Sequence, residues 1–150
     1  IAYGGDHAIV GELYIKDEGY ALALCRIEPE NNVELILESF SKTDKPLKFI
    51  GNWQSSEFGL NMKTKYQGFK NIEIIDPIYD IHELFDLRQS CSFYVHGHSA
   101  GGTNPSLVEM MHFGKAIYAF DSNNSKSMQE IAERRYTWKI VKQQYFNLFK

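Results

Sequence analysis

A glycine-rich stretch, GGTNPS at positions 101–106, contains the residue types best suited to binding a ligand. Paired glycines let a ligand approach the backbone closely. Asn104 suits the residue that caps a helix, and Pro105 suits the first helical position, where no N–H is needed. The N–H groups and the dipole of a helix that begins there attract an anion. The stretch therefore predicts a diphosphate site, although a simple turn between a strand and a helix fits the same spacing equally well.

Two histidines just before this stretch, His96 and His98, could suggest a pair of metal ligands. Metal sites in proteins draw on clusters of Cys, His and carboxylate side chains. No such cluster accompanies this pair in the sequence. Histidines with ordinary hydrogen bonds at the end of a strand are therefore favoured, and no metal is expected.

The elements that must position these residues are visible as an alternation of apolar runs and helical patterns. The runs have the character of strands buried on both faces, at 20–25, 47–50, 72–75, 91–96 and 116–120. Strand and helix alternating with short polar joints predicts an α/β domain over residues 1–150. Its sheet is expected to be parallel and Rossmann-like, with helices on both faces.

The helical patterns between the runs carry their own start and stop signals. Asn31 with Glu34 predicts a capping pair at the first helix, whereas Gly59 weakens the second helical pattern. A closing helix is predicted from Trp138 to Leu148.

Ligands of such sheets bind beyond the carboxyl ends of the strands, so residues directly after the apolar runs are candidates. Arg26 follows the first run, Ile78 lies shortly after the third, and His98 follows the fourth. A surface ion pair of Arg26 with Glu28 or Glu30 is the simpler alternative for that arginine.

Composition excludes several classes of protein. The chain has 150 residues, of which 43% are hydrophobic, and a net charge of −3 without a Lys/Arg block, so one folded domain without a nucleic-acid partner is expected. No apolar run approaches the roughly 20 residues of a membrane span, and no signal peptide is visible. Cys25 and Cys91 lie in apolar runs, which predicts buried reduced thiols. The sequence does not open with Met, so we expect a fragment of a longer chain.

The segment YVHGHSAGGTNPSLVEMMHFGKAIYAFD is similar to the donor-binding signature of family 4 glycosyltransferases. That signature usually has an E-G-F-G stretch with seven residues between two glutamates. Glu109 matches the second glutamate, and Gly101 stands where the first should be. The GGTNPSLVE variant resembles a subgroup of rhamnosyl- and related deoxysugar transferases that act in surface-polysaccharide synthesis.

Other segments carry the resemblance along the chain. ALALCRIEPENNVELILESF resembles the first strand and helix of the family, with Arg26 matching the arginine that contacts the diphosphate and Asn31 standing where a lysine is usual. NIEIIDPIYDIHELFDLRQSC resembles the segment that lines the base pocket, with Ile78 at the base. RRYTWKIVKQQYFNLF is similar to the closing helix, and the opening YGGD fits the crossover between domains. The stretch between Asp121 and Tyr136 is shorter than in the family, which predicts that a segment is absent there.

The resemblance implies the C-terminal half of a GT-B glycosyltransferase that binds a nucleotide diphosphate sugar. It implies retaining transfer of a hexosyl-type sugar to a glycan or lipid-linked acceptor of O-antigen or capsule synthesis, with the acceptor held by an absent N-terminal domain. Glu109 and Arg26 are the expected catalytic residues, and no cofactor or metal is expected. The expected donor-binding residues are Arg26, Asn31, Ile78, His98, Gly101, Gly102, Thr103, Asn104, Ser106 and Glu109.

Two other functions stay open at this point. A GT-B sugar-nucleotide epimerase shares the fold, and a non-catalytic sugar-nucleotide-binding module is a further alternative. A receiver domain is disfavoured because the first strand ends in Cys25-Arg26 without an acidic cluster, and a nicotinamide-binding domain because no glycine follows that strand. We expect the isolated chain to fold, to bind nucleotide weakly and to transfer nothing. Its expected location is the cytoplasm, either free or peripheral to the inner face of the membrane.

Overall fold

A computed structural model describes residues 4–98 and 104–119, together with Thr137 and Lys139. Within this part the chain forms a five-stranded parallel sheet in the order β3-β2-β1-β4-β5. The strands are β1 (Ala21–Leu24), β2 (Leu47–Ile50), β3 (Ile72–Ile75), β4 (Phe93–His96) and β5 (Ala116–Ala119). All five lie inside the predicted apolar runs, so the predicted α/β fold with a parallel, Rossmann-like sheet is confirmed.

The described helices are α1 (Val33–Ser41), α2 (Glu57–Tyr66), α3 (Ile81–Ser90) and α4 (Pro105–Met111). Two 3₁₀ turns, Asp6–Ala8 and Pro29–Asn31, precede β1 and α1 respectively. None of the helices in the described ranges has the length and apolar character of a membrane span. Apart from Lys139, the predicted closing helix lies outside the described residues, as does the segment predicted to be absent between Asp121 and Tyr136.

Helices cover both faces of the sheet. Side chains of successive strand residues point to opposite faces, so one strand packs against both layers of helices. Ala21 and Ala23 of β1 belong to a buried cluster with α1 and α2, while Leu22 belongs to a second cluster with α3, α4 and the turn Asp6–Ala8. The first cluster is built from Ala21, Ala23, Ile27, Val33, Ile36, Leu37, Leu47, Phe49, Trp53, Met62, Tyr66 and Ile72. The second is built from Ala8, Tyr20, Leu22, Ile50, Phe85, Cys91, Tyr94, Met110, Met111, Phe113 and Ile117. The sheet is therefore the middle layer of three.

Side-chain caps explain where three of these helices begin, and at α2 the Ser56 hydroxyl accepts a hydrogen bond from Gly59 N–H at 3.1 Å. The Asp80 carboxylate accepts hydrogen bonds from the backbone N–H groups of His82 and Glu83, both at 2.9 Å, at the start of α3. Asn104 accepts one from Leu107 N–H at 3.3 Å, so the predicted Asn104 cap followed by Pro105 is confirmed. These bonds satisfy N–H groups that have no partner inside the helix.

The predicted cap of α1 is wrong. Asn31 ends a 3₁₀ turn, and Asn32 is the residue that precedes α1, with φ 50° and no side-chain capping bond. The left-handed backbone at Asn32 is tolerated by asparagine better than by most residues. Asn31 is thereby released from the helix end and has another set of partners, described below.

The two cysteines are free thiols, as predicted. Cys91 is fully buried and Cys25 is partly buried. Burial raises the pKa of Cys91 to about 11 and that of Cys25 to about 12, because a thiolate loses its hydration there. Both thiols therefore stay protonated near neutral pH.

Gly59 is required by packing, although the sequence pattern presents it as a weak point of α2. A Cβ atom at this position would lie 2.3 Å from the carbonyl oxygen of Trp53. Trp53 is fully buried, and its indole N–H donates to the Ile75 carbonyl at 2.9 Å. The glycine thus lets α2 approach the loop after β2.

Replacing Gly59 by alanine is expected to destabilise the chain by about 1–3 kcal/mol, because the new methyl group clashes with the backbone of Trp53 and relief of the clash requires the helix or the loop to shift. Helix propensity alone predicts the opposite sign, a gain of about 1 kcal/mol. Gly68→Ala is the matched control, because a Cβ there meets nothing within 4 Å. Urea unfolding of the wild type, Gly59→Ala and Gly68→Ala shows whether the free energy of unfolding falls or rises. A Gly59→Ala variant as stable as the wild type would refute the packing account.

Candidate functional site

The strand order defines a crevice between β1 and β4. These strands are neighbours, with Ala21 opposite Phe93 and Ala23 opposite Val95. The chain leaves β1 toward α1 on one face and leaves β4 toward α4 on the other. Such a reversal of direction opens a gap beyond the carboxyl ends of the two strands, where open α/β sheets bind their ligands.

Arg26 lies on the β1 side of this crevice and is mostly exposed to solvent. Its side chain is 74% accessible, and the guanidinium lies 3.7 Å from the Glu28 carboxylate. An exposed pair at that distance contributes about 0–1 kcal/mol or less, so it does not hold the arginine firmly. Arg26 can therefore turn toward an anion at the sheet edge.

Asn31 joins the two sides of the crevice. Its side-chain amide donates to the Arg26 carbonyl at 2.7 Å, and its side-chain oxygen lies 2.6 Å from His98 Nδ1. Because the carbonyl of Arg26 only accepts, the amide orientation is fixed and His98 Nδ1 must be the donor. Nε2 of His98 then donates to a phosphate only when the ring is an imidazolium.

A second asparagine strengthens the same link. Asn32 donates from its side-chain amide to the Gly97 carbonyl at 2.7 Å. Gly97 itself touches the loop after β1, since a Cβ there would lie 2.2 Å from the Asn31 carbonyl oxygen. The loops after β1 and β4 are thus packed against each other, and glycine is the residue that fits at their contact.

Glu109 lies on α4, on the β4 side, and it is held by an ion pair. Its Oε2 accepts a short hydrogen bond from Arg88 Nη2 on α3, and its Oε1 lies 3.3 Å from His7 Nε2. The three side chains form a gradient of exposure, at 4% for Arg88, 13% for Glu109 and 38% for His7. The carboxylate therefore connects a buried guanidinium with the partly exposed imidazole.

The backbone explains why His7 reaches α4. The turn Asp6–Ala8 follows Gly5, and a Cβ at Gly5 would lie 2.8 Å from the backbone of Val108. Close approach at this glycine seats the turn on α4. The YGGD motif predicts a crossover between domains but indicates no role for His7.

Sequence reasoning also missed Arg88, although a signal was present. Arg88 follows Leu84 and Phe85 at spacings of four and three residues, which is the apolar face of α3. An arginine in such a position is expected to be buried and paired. Its partner, 21 residues further along the chain, cannot be read from that pattern.

The remaining predicted site residues are described only in part. Ile78, in the loop after β3, is half-buried and packs against the α3/α4 cluster. Ser106 is half-buried in the first turn of α4. Gly101, Gly102 and Thr103 lie outside the described residues. In the part of the chain that is described, no three His, Cys, Asp or Glu side chains group together as metal ligands would.

His96 ends β4 and is buried directly before the site. Burial, and then the neighbouring His98, lower the pKa of His96 to about 4, because the imidazolium loses hydration. Its ring is stacked on Tyr94, with centroids 6.3 Å apart. The histidine is therefore neutral in the folded chain at physiological pH.

The unfolded chain takes up a proton at this histidine near pH 6.5, whereas the folded chain does so near pH 4. The stabilisation from a neutral His96 is thus complete above pH 6.5 and is lost as the pH falls toward 4. Between pH 7 and 4.5 the wild type should lose roughly 2–3 kcal/mol more stability than His96→Gln. Urea unfolding across this range measures the difference, and identical slopes for the two proteins would rule out the buried neutral histidine.

The fold and the crevice together define a class. A five-stranded parallel sheet with helices on both faces and a switch point between β1 and β4 is a Rossmann-like α/β architecture. A scan against protein-family models finds no match, and a search of curated protein sequences finds none either.

Solved structures show the likeness directly. Sucrose-phosphate synthase from Thermosynechococcus elongatus superposes with a TM-score of 0.72 at 11% identity, over 99% of this chain and 49% of that one. HepE from Anabaena, solved with UDP and glucose, gives 0.68 at 11% identity, over 87% and 48%. The C-terminal domain of the group 1 glycosyl transferase LpcC from Francisella tularensis gives 0.52 at 18% identity, over 87% and 88%. The chain thus spans about half the length of the two whole enzymes, and the likeness establishes the fold.

Proposed function

We propose that this chain is the donor-binding half of a glycosyltransferase that uses a nucleotide diphosphate sugar. One observation carries the proposal: Arg26 follows the carboxyl end of β1, and Glu109 lies on α4, the helix that follows β4, and these two strands form the switch point of the sheet. An exposed cation and an ion-paired carboxylate suit the two polar parts of a nucleotide, the phosphates and the ribose. The likeness to glycosyltransferase structures supports the same ligand class.

In this proposal each polar group acts on a separate part of the donor. Arg26, with the backbone N–H groups of residues 102–104 and 106, balances the negative charge that grows on the diphosphate as it leaves. Glu109 accepts hydrogen bonds from the ribose hydroxyls, and Ile78 offers an apolar surface to the base. His98 contributes to the phosphates in its imidazolium form.

Asn31 has a supporting task in the same scheme. Its side chain is buried and engaged by the Arg26 carbonyl and His98, so it orients both residues and does not carry charge itself. The positive charge that a lysine would add at this position comes in this scheme from Arg26, together with the imidazolium form of His98. We propose that this scheme works without a metal ion or another cofactor.

The finer assignment rests on the sequence resemblance. The GGTNPSLVE stretch supports a family 4 enzyme of the rhamnosyl- and deoxysugar-transferase subgroup, which transfers a hexosyl-type sugar with retention of configuration. The acceptor in this proposal is a glycan or lipid-linked precursor of O-antigen or capsule, held by a domain outside this sequence. Such an acceptor sets the place of action in the cytoplasm, at the inner face of the membrane.

Calorimetric titration of the chain with UDP, GDP and dTDP tests the proposal. At least one diphosphate should bind, and it should bind more tightly than its monophosphate and its nucleoside, because Arg26 and the backbone donors engage the second phosphate. Absence of binding by all three diphosphates would contradict the proposal.

Turnover by the full-length protein separates transfer from the alternative reactions. Nucleotide diphosphate should be released from the matching nucleotide sugar when a glycan acceptor is present. Release without any acceptor would identify a hydrolysing or epimerising enzyme, and binding without turnover under either condition would identify a non-catalytic module.

A further inference from the structure

We propose that Arg88 is a positioning residue that holds the Glu109 carboxylate in place for the hydroxyl groups of the nucleoside sugar. The inference rests on the proposed function, in which Glu109 binds those hydroxyls. In this proposal Arg88 lies on a different helix from Glu109. It nevertheless determines how well the site distinguishes a nucleoside sugar with hydroxyl groups from its dideoxy analogue.

The contact itself is directional. Arg88 Nη2 donates to Glu109 Oε2, while Glu109 Oε1 lies on the other side, 3.3 Å from the more exposed His7. The guanidinium therefore holds the carboxylate from the buried side, while Oε1 lies toward the partly exposed His7. A charge-assisted hydrogen bond of this kind fixes both the distance and the plane of the carboxylate.

The burial of Arg88 is unfavourable for folding, so stability alone does not explain the ion pair with Glu109. Arg88 is 4% exposed, and its Nε is buried with no hydrogen-bond partner among the described residues. Removing a guanidinium and a carboxylate from water carries a desolvation penalty that their mutual attraction often does not offset. An apolar side chain beside Phe85, which packs on the same face of α3, would fill the position at lower cost.

Fixing the carboxylate has a direct benefit for binding. A free glutamate side chain loses rotamer freedom when it accepts a ligand, and that loss weakens the interaction. A glutamate already held by Arg88 has lost this freedom during folding. The hydroxyl groups of the nucleoside sugar then meet an acceptor in its final orientation.

The experiment measures a ratio of affinities. UDP, GDP and dTDP are each compared with their 2′,3′-dideoxy analogues, and the ratio for each pair reports how strongly the site recognises sugar hydroxyls. The wild type should prefer the hydroxylated member of the bound pair about 10- to 100-fold. Arg88→Met keeps the length of the side chain but removes the charge, and its ratio should fall to about 3 or less.

Further variants separate positioning from general stability. Glu109→Gln should lower the ratio as Arg88→Met does, and the double variant should lower it no further, because the two residues act as one unit. Arg88→Lys keeps the charge without the planar fork and should give an intermediate ratio. Lys42→Gln, on an exposed pair with Glu38, is the control and should keep the wild-type ratio.

The ratio of affinities for a diphosphate and its dideoxy analogue does not depend on the fraction of folded protein. A variant that is only less stable therefore keeps the wild-type ratio. A folded Arg88→Met that keeps the wild-type ratio would overturn the inference alone. If Arg88→Met does not fold, a wild-type ratio in Arg88→Lys would overturn it. No binding of any diphosphate to the wild type would overturn the proposed function and this inference together.

Discussion

Replacing Glu109 by glutamine is expected to lower the affinity for a nucleoside diphosphate about 10- to 100-fold, because a neutral amide accepts hydrogen bonds from ribose more weakly than a carboxylate. The structure adds a second effect. Glutamine leaves the buried Arg88 without its counter-charge, so the free energy of unfolding should fall by about 2–4 kcal/mol. The sequence alone predicts an intact fold for this variant, since it presents Glu109 as a residue of an open cleft.

Calorimetric titration and urea unfolding of Glu109→Gln measure the two effects separately. Glu38→Gln is the matched control, because Glu38 is an exposed glutamate paired with Lys42 on α1. The control should keep both affinity and stability. Unchanged affinity in Glu109→Gln would remove Glu109 from the binding site, and unchanged stability would show that the ion pair with Arg88 contributes nothing.

Replacing Arg26 by glutamine is expected to lower diphosphate affinity about 10- to 100-fold as well, since it removes a cation from beside the two phosphates. The side chain is 74% exposed and weakly paired, so stability should change by less than about 0.5 kcal/mol. The variant therefore separates binding from folding, which Glu109→Gln does not.

The effect at Arg26 should also depend on the ligand. Binding of the nucleoside without phosphates should be equal in the wild type and Arg26→Gln, whereas binding of the diphosphate should differ. Lys42→Gln removes one surface cation elsewhere and should leave both affinities unchanged. Equal diphosphate affinity in Arg26→Gln and the wild type would assign Arg26 to the surface pair with Glu28.

The strands were predictable because strands in the middle of a covered parallel sheet are buried on both faces and leave continuous apolar runs. β2, in the interior of the sheet, coincides with the run 47–50, and the interior strand β1 lies inside the run 20–25. The start of α1 was not predictable from local sequence. Asn31 and Asn32 are both good capping residues, and contacts with His98 and Gly97 decide their roles.

The candidate site was predictable at the positions that strand ends select, such as Arg26 and His98. The ion pair of Arg88 with Glu109 and the approach of His7 were not, because they join three elements far apart in sequence. The orientation of Asn31 between Arg26 and His98 also depends on the packing of two loops. The residues that contact and orient the predicted site residues are therefore known only from the tertiary structure.

The central claim is that the crevice between β1 and β4 binds a nucleoside diphosphate. Titration of the ¹⁵N-labelled chain with the diphosphate that binds in calorimetry, followed by backbone amide chemical shifts, tests it most directly. The shifts should cluster at Arg26, Ile78, His98, residues 101–104 and 106, and Glu109, while Lys42 on the opposite edge should stay unchanged. Shifts confined to that opposite edge, around Lys48 and Asn71, or to any other surface, would contradict the account.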